Sequence, residues 1–311
     1  MANSAVTGTV FKTTGSLHLV RTDDGQSLSC SLKGNFRILG IRTTNPVAVG
    51  DRVTIERIEQ GRGVITRIHP RKNYIIRKAI NLSRESHILA ANLDQAILMI
   101  TITYPITLSM FVDRFLVTAE AYSVPVILMF NKLDLYTEED LAALAEWVEA
   151  YTLAGYPCYP VSLVTGKGIK AIRERLPGKI TLLSGNSGVG KSTFINFLDP
   201  SKNLKTKQIS DYHQLGKHTT TFPEMLELAD GAFLIDTPGI RGFGVIEIGK
   251  EELYHYFPEL FKYSGDCQFH NCTHTHEPGC AVRRAVEEGA IGEMRYRNYL
   301  VMMESDEDKY R

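Results

Sequence analysis

A chain of 311 residues with 43% hydrophobic side chains has room for two or three domains and a sizeable core. No apolar run approaches the roughly 18 residues needed to cross a bilayer as a helix. Met1-Ala2-Asn3-Ser4 lacks the basic and apolar regions of a secretory signal, so the expected setting is the cytoplasm, with no membrane partner.

The formal net charge of zero hides an asymmetry. Residues 1–80 carry 13 Lys+Arg against 5 Asp+Glu, and residues 81–311 carry 22 against 30. A basic N-terminal module on an acidic body points to a polyanionic partner at that end, or to a solvated basic face.

Segments 6–13, 16–22, 26–33, 52–59 and 63–68 alternate in polarity or are rich in β-branched residues. Thr14-Gly15, Asp23-Asp24-Gly25, Gly50-Asp51 and Gln60-Gly61 supply turns between several of them. Five short strands in this space predict a small OB-like β-barrel over 1–70, a fold that commonly binds oligonucleotides. Arg37, Arg42, Arg52, Arg57, Arg62, Arg67 and Lys72 are its basic candidates for RNA contact. Pro70-Arg71-Lys72-Asn73 starts a linker.

From about 90 the pattern becomes α/β. Strands are predicted at 94–102, 124–130, 158–161, 179–184, 224–228 and 232–236. Helices are predicted at 107–123, 137–154, 166–176 and 190–198. Strands alternating with helices predict a mainly parallel, doubly covered sheet over 71–245. Its ligand belongs at the carboxyl ends of the strands.

Two motifs fall at such ends. Gly185-Asn186-Ser187-Gly188-Val189-Gly190-Lys191-Ser192 is a complete phosphate-binding loop, with Thr193 following in the helix. Its peptide N–H groups and the helix N-terminus favour an anion. Lys191 reaches the β/γ-phosphates, and the Ser192 hydroxyl suits Mg²⁺. Asn131-Lys132-Leu133-Asp134 has the N-K-x-D form of a guanine reader. The Asp134 carboxylate accepts hydrogen bonds from guanine N1–H and N2–H₂, which adenine cannot supply. Asn131 is expected to brace neighbouring loops, and the Lys132 stem to lie over the base. The loop from Ser162 to Gly168 follows a strand and matches the segment whose backbone meets guanine O6.

Asp236-Thr237-Pro238-Gly239 is a D-x-x-G element: Asp236 for Mg²⁺, and the Gly239 N–H for the γ-phosphate. In Gly216-Lys217-His218-Thr219-Thr220-Thr221, Thr220 is the favoured Mg²⁺ ligand and Thr219 the next. Many GTPases place Gln directly after D-x-x-G to orient water. Ile240 stands there in this chain, and His218 is the catalytic candidate in its place. The reader precedes the phosphate loop, the reverse of the ordinary order, so the GTPase domain is read as circularly permuted.

After 245 the chain is predicted helical, at 250–263, 281–288 and 292–303, forming a third domain over 246–311. The tail Glu304-Ser305-Asp306-Glu307-Asp308 is expected to be frayed and solvated. Cys267-x₄-Cys272-x-His274-x₅-Cys280 offers three thiolates and one imidazole, a closed set for one structural Zn²⁺. His270 and His276 are alternates for His274.

Together these residues resemble the circularly permuted GTPases activated by the small ribosomal subunit. The likeness spans the barrel, Asn131–Asp134, Gly185–Ser192, the His218 segment, Asp236–Gly239 and the cysteine cluster. The resemblance implies a GTP hydrolase that binds the maturing small subunit and its rRNA and leaves on hydrolysis to GDP; the chain is expected to be a monomer. It also implies zinc on Cys267, Cys272, His274 and Cys280, and a switch histidine at His218. The alternative is a GTP-gated RNA-binding module in which hydrolysis is incidental.

Overall fold

The computed structural model describes residues 5–33, 46–59, 61–78, 86–204, 223–236 and 248–304. Five strands open the chain: β1 (Ala5–Thr14), β2 (Leu17–Thr22), β3 (Ser27–Leu32), β4 (Arg52–Glu59) and β5 (Arg62–Ile68). In β2 and β3 burial alternates residue by residue, the signature of a sheet with one dry face. The strands pair in the order β1-β2-β3-β5-β4, and β4 pairs back to β1, which closes the barrel. Only the β3–β5 pairing is parallel. Val10, Val20, Leu28, Cys30, Val53, Ile55 and Ile65 fill the interior.

The linker contains a hairpin that periodicity did not signal, β6 (Tyr74–Lys78) paired with β7 (Ser86–Ala91). It is anchored from both sides rather than by its own pattern. Asp51 is fully buried and takes the Arg71 guanidinium at 2.6 Å, while Asn73 bonds both backbone groups of Leu93.

The central layer is a sheet of β8 (Gln95–Ile100), β9 (Val126–Phe130), β10 (Cys158–Pro160), β11 (Ile180–Gly185), β12 (Glu224–Glu227) and β13 (Phe233–Asp236). The order is β10-β9-β8-β11-β13-β12, parallel except for β12. Every residue of β8 and β9 is buried, as expected for strands covered on both faces. Helices α1 (Ser109–Ala121), α2 (Glu138–Leu153), α3 (Ile169–Arg173) and α4 (Lys191–Leu198) provide that cover. Thr137 and Asp140 close a reciprocal capping box on α2. The helix expected over 166–176 shrinks to α3 because Gly168 has φ of 77° and sits where a Cβ would meet the Pro160 carbonyl at 2.3 Å.

The barrel does not hang free of this layer. The far end of β1 pairs with β12, Lys12 opposite Glu224, so one sheet of 11 strands runs through both units. Lys12–Glu224 at 2.7 Å, an Arg21–Glu227 ion pair and an edge-to-face Phe11–Phe233 contact reinforce the seam.

The helix expected over 250–263 is broken. A 3₁₀ segment, Lys250–Tyr256, ends at Phe257, and α5 (Pro258–Ser264) begins anew. Pro258 disfavours helical geometry at the residue before it, and Phe257 is accordingly extended. With α6 (Ala281–Glu287) and α7 (Glu293–Glu304) these elements enclose Leu253, Phe257, Leu260, Val282 and Tyr299. The unit docks on α1 through Arg295, which is fully buried and reaches Asp113 at 2.6 Å and Glu259 at 2.7 Å. Among the described residues no helix is long and apolar enough to cross a membrane.

Candidate nucleotide site and metal centre

The reader loop and the phosphate loop leave the same end of the sheet. Strand β8 separates β9 from β11, and the loops close over its end. Asn131 is the tie: it is 2% exposed, and its Nδ2 donates to the Val189 carbonyl at 2.8 Å. Its Oδ1 accepts from the Leu163 N–H at 3.3 Å. One side chain thereby joins the segments 131–134, 185–192 and 162–168. Gly190 explains how closely they pack: a Cβ there would lie 2.6 Å from Asn131 Nδ2, and its φ is 109°.

Lys132 adopts a left-handed backbone conformation, φ 73° and ψ 33°. Its ammonium donates to the Tyr104 carbonyl. Burial lowers its pKa, and Asp134 pulls it back up. Asp134 itself is exposed, and one carboxylate oxygen accepts from the Ser162 hydroxyl. That hydroxyl also accepts the Thr165 N–H at 3.1 Å. The second carboxylate oxygen and the neighbouring backbone can accept a donor edge such as that of guanine.

Lys191 opens α4 and donates to the carbonyls of Gly185 at 2.6 Å and Asn186 at 2.9 Å. Burial lowers its pKa, with Asp236 acting in the opposite sense. Asp236 lies level with Leu183 in the parallel β11–β13 register, two residues before Gly185 opens the phosphate loop. Burial raises its pKa, and Lys191 counters. Its Oδ1 is buried without a hydrogen-bond partner. An ionised carboxylate in that state is costly unless a cation or donor meets it. With Ser192 in the first turn of α4, this donor set suits a hard cation such as Mg²⁺. His218, Thr219 and Thr220 lie outside the described residues, as do Thr237, Pro238, Gly239 and Ile240.

One contact that the motifs do not announce is Tyr136. Its hydroxyl donates to the Asn131 carbonyl at 2.7 Å and accepts the Ile102 N–H at 2.8 Å. Burial raises the phenol pKa to about 12. The only sequence signal would have been a tyrosine two places beyond the reader.

The candidate metal centre is compact. The ligand atoms of Cys267, Cys272, His274 and Cys280 all lie within 4.8 Å of one another. Cys267 Sγ and Cys280 Sγ each stand 3.6 Å from His274 Nδ1, and 4.0 Å from each other. Ligand bonds of about 2.0–2.3 Å in a tetrahedron would give edges of this size. His270 and His276 are exposed, while His274 is 1% exposed, so geometry selects His274 from the three. Burial pushes the Cys272 thiol up to about 12, so a bound cation would be needed to hold it as thiolate near neutrality. Tyr296 and Tyr299 donate to the carbonyls of His274 and Thr273 at 2.6 and 2.7 Å, fixing the loop to α7.

Comparison with known proteins agrees with this layout. The family described as RsgA GTPase matches residues 68–246, and that described as RsgA N-terminal domain matches residues 7–65. A Bacteroides fragilis protein named small ribosomal subunit biogenesis GTPase RsgA is 56% identical over 305 residues, covering 98% of each chain. A Porphyromonas gingivalis protein of the same name is 56% identical over 310 residues, again covering 98% of each. Among solved structures, YjeQ from Thermotoga maritima superposes with a TM-score of 0.79 at 36% identity, covering 96% of this chain and 98% of that one. YloQ, described as a circularly permuted GTPase, gives 0.74 at 28% identity, with 96% and 94% covered.

Proposed function

The chain belongs to the RsgA GTPase family, and from that premise we propose that it binds the small ribosomal subunit and assists its late maturation. GTP hydrolysis releases it. The carrying observation is the Asn131 tie, which joins the segment after β9 to the phosphate loop after β11 across the end of β8.

Asn131, Lys132, Asp134 and Ser162 take the base. Residues 185–193 take the phosphates, with Lys191 offsetting their charge. Ser192, Asp236 and Thr220 hold Mg²⁺, which neutralises charge developing on the phosphate oxygens when bound. Gly239 reads the γ-phosphate, and His218 positions the attacking water in place of the absent glutamine. Residues 1–70, 71–245 and 246–311 act as barrel, GTPase and metal-binding domains of a cytoplasmic monomer. Cys267, Cys272, His274 and Cys280 hold one structural Zn²⁺, with no position left for water. Elemental analysis should find one zinc per chain, and Cys272→Ser should lose it together with helical signal. A metal-free protein with unchanged circular dichroism would refute that role.

The partner is tested by co-sedimentation with purified small ribosomal subunits. Binding in a non-hydrolysable GTP analogue that weakens at least tenfold in GDP is expected. Equal binding in both states, or none, would refute the switch. His218→Ala should keep GDP affinity while lowering kcat. Unchanged kcat would remove His218 from the mechanism.

A further inference from the structure

We propose that Tyr136 is a positioning residue for guanine-nucleotide binding that acts through Lys132. This rests on the reading of 131–134 as the base-recognition loop. Lys132 is held in the left-handed region, with φ of 73°, a conformation that costs a non-glycine residue of order 1 kcal/mol and persists only where neighbours enforce it. The peptide just before it is fixed because the Asn131 carbonyl accepts the Tyr136 hydroxyl at 2.7 Å, while the Asn131 N–H donates to Ile100 at 2.8 Å. The far end of the same side chain is fixed as well, because the Lys132 ammonium donates to the Tyr104 carbonyl.

Tyr104 belongs to the loop between β8 and α1, and that loop is tied down at Ile102, whose N–H donates to the same Tyr136 oxygen at 2.8 Å. Thr101 steadies it further by donating to the Pro105 carbonyl at 2.5 Å. Tyr136 thus closes a ring of contacts that grips Lys132 at its backbone and at its tip. A lysine preset in this way can cover the base without being ordered at the moment of binding. Removing the hydroxyl transfers that ordering cost to nucleotide binding.

Tyr136→Phe keeps the ring and deletes both hydrogen bonds. The expected result is GDP release about tenfold faster and a similar rise in KM for GTP, with a smaller change in kcat. Tenfold converts to about 1.4 kcal/mol, the size of one or two hydrogen bonds. Thr101→Val, which loosens the same loop without touching Tyr136, should quicken release in the same direction by a few-fold. A double-mutant cycle separates positioning from plain structural support. On a Lys132→Ala background, Tyr136→Phe should add less than twofold to the release rate, because its effect runs through the lysine.

Unchanged release in Tyr136→Phe, or effects that multiply in the double mutant, would overturn the proposal. Asp134→Asn is the reference. If it weakens GDP binding while Tyr136→Phe does not, only the role of Tyr136 falls. If Asp134→Asn leaves GDP binding intact, the base-recognition reading falls and the proposal with it.

Discussion

At the scale of residues, the nucleotide site turns on which atoms accept and which donate. Asp134 shares one oxygen with the Ser162 hydroxyl and is otherwise exposed. Asp134→Asn replaces an acceptor by a donor against guanine N1–H. GDP affinity should fall about 100-fold, since a mismatched polar site costs far more than a lost contact, and xanthosine diphosphate should become the better ligand in direct competition. Preference for GDP over xanthosine diphosphate in the variant would contradict this. A second residue-scale test concerns the barrel. Hydrogen bonds from Arg52 and then Thr7 hold the Asp23 carboxyl at about 2, below its ordinary 3.8. A depressed carboxylate stabilises the fold above its ordinary pKa, and the contribution is lost as pH falls through about 2. Carbon NMR of Arg52→Met should therefore show the Asp23 midpoint rising toward 3.8, and a midpoint that stays near 2 would show that Arg52 is not the cause. The placement of Asn131 and Lys191 at strand ends and the clustering of Cys267, Cys272, His274 and Cys280 were legible in the sequence because motif spacing brings them together. Tyr136 was not, because its partner at Ile102 lies 34 residues away and comes into reach only once β8 and β9 lie side by side.

At the scale of elements, buried strands read cleanly from composition, since strands covered on both faces must be apolar throughout. The β6–β7 hairpin did not, because its anchors are a buried Asp51–Arg71 pair and Asn73 rather than a pattern of its own. The break at Pro258 follows from the proline rule, which the reading of 250–263 as one helix did not apply. Tertiary burial also decides how the C-terminal unit is held. Arg295 lies between Asp113 and Glu259 with its guanidinium 4.5 Å from the Phe257 ring, and all three charged groups are buried. Arg295→Met leaves two carboxylates in a dry interface. Urea unfolding should show a loss of about 3–5 kcal/mol, the usual cost of removing one partner of a buried ionic cluster. A loss below about 1 kcal/mol would mean that the carboxylates are neutral or hydrated in solution.

At the scale of the whole molecule, the charge asymmetry needs refinement. Arg52 and Arg57 are spent on Asp23 and Asp24, and Lys72 on Asp94. Among the described candidates, Arg62 and Arg67 on β5 are exposed and make no ion pair. Lys12 and Arg21 pair with Glu224 and Glu227 outside the barrel, so part of its basic surplus is offset by the central layer. The barrel and the C-terminal unit join the central layer by different elements. Strand β1 continues the GTPase sheet through β12, while Arg295 fastens the C-terminal unit to α1, which begins beyond the loop that holds Lys132. The domain order was legible from the order of motifs. The continuous sheet was not, because the Lys12–Glu224 pairing spans 212 residues.

The most direct test of the account is GTP turnover by the purified protein, with and without small ribosomal subunits, across a salt series. The account predicts slow turnover alone and strong stimulation by the subunit. Stimulation should fade steeply with salt as phosphate contacts release their counterions. Turnover that is unchanged by subunits at low salt would contradict the account, leaving a GTPase whose activator is something else.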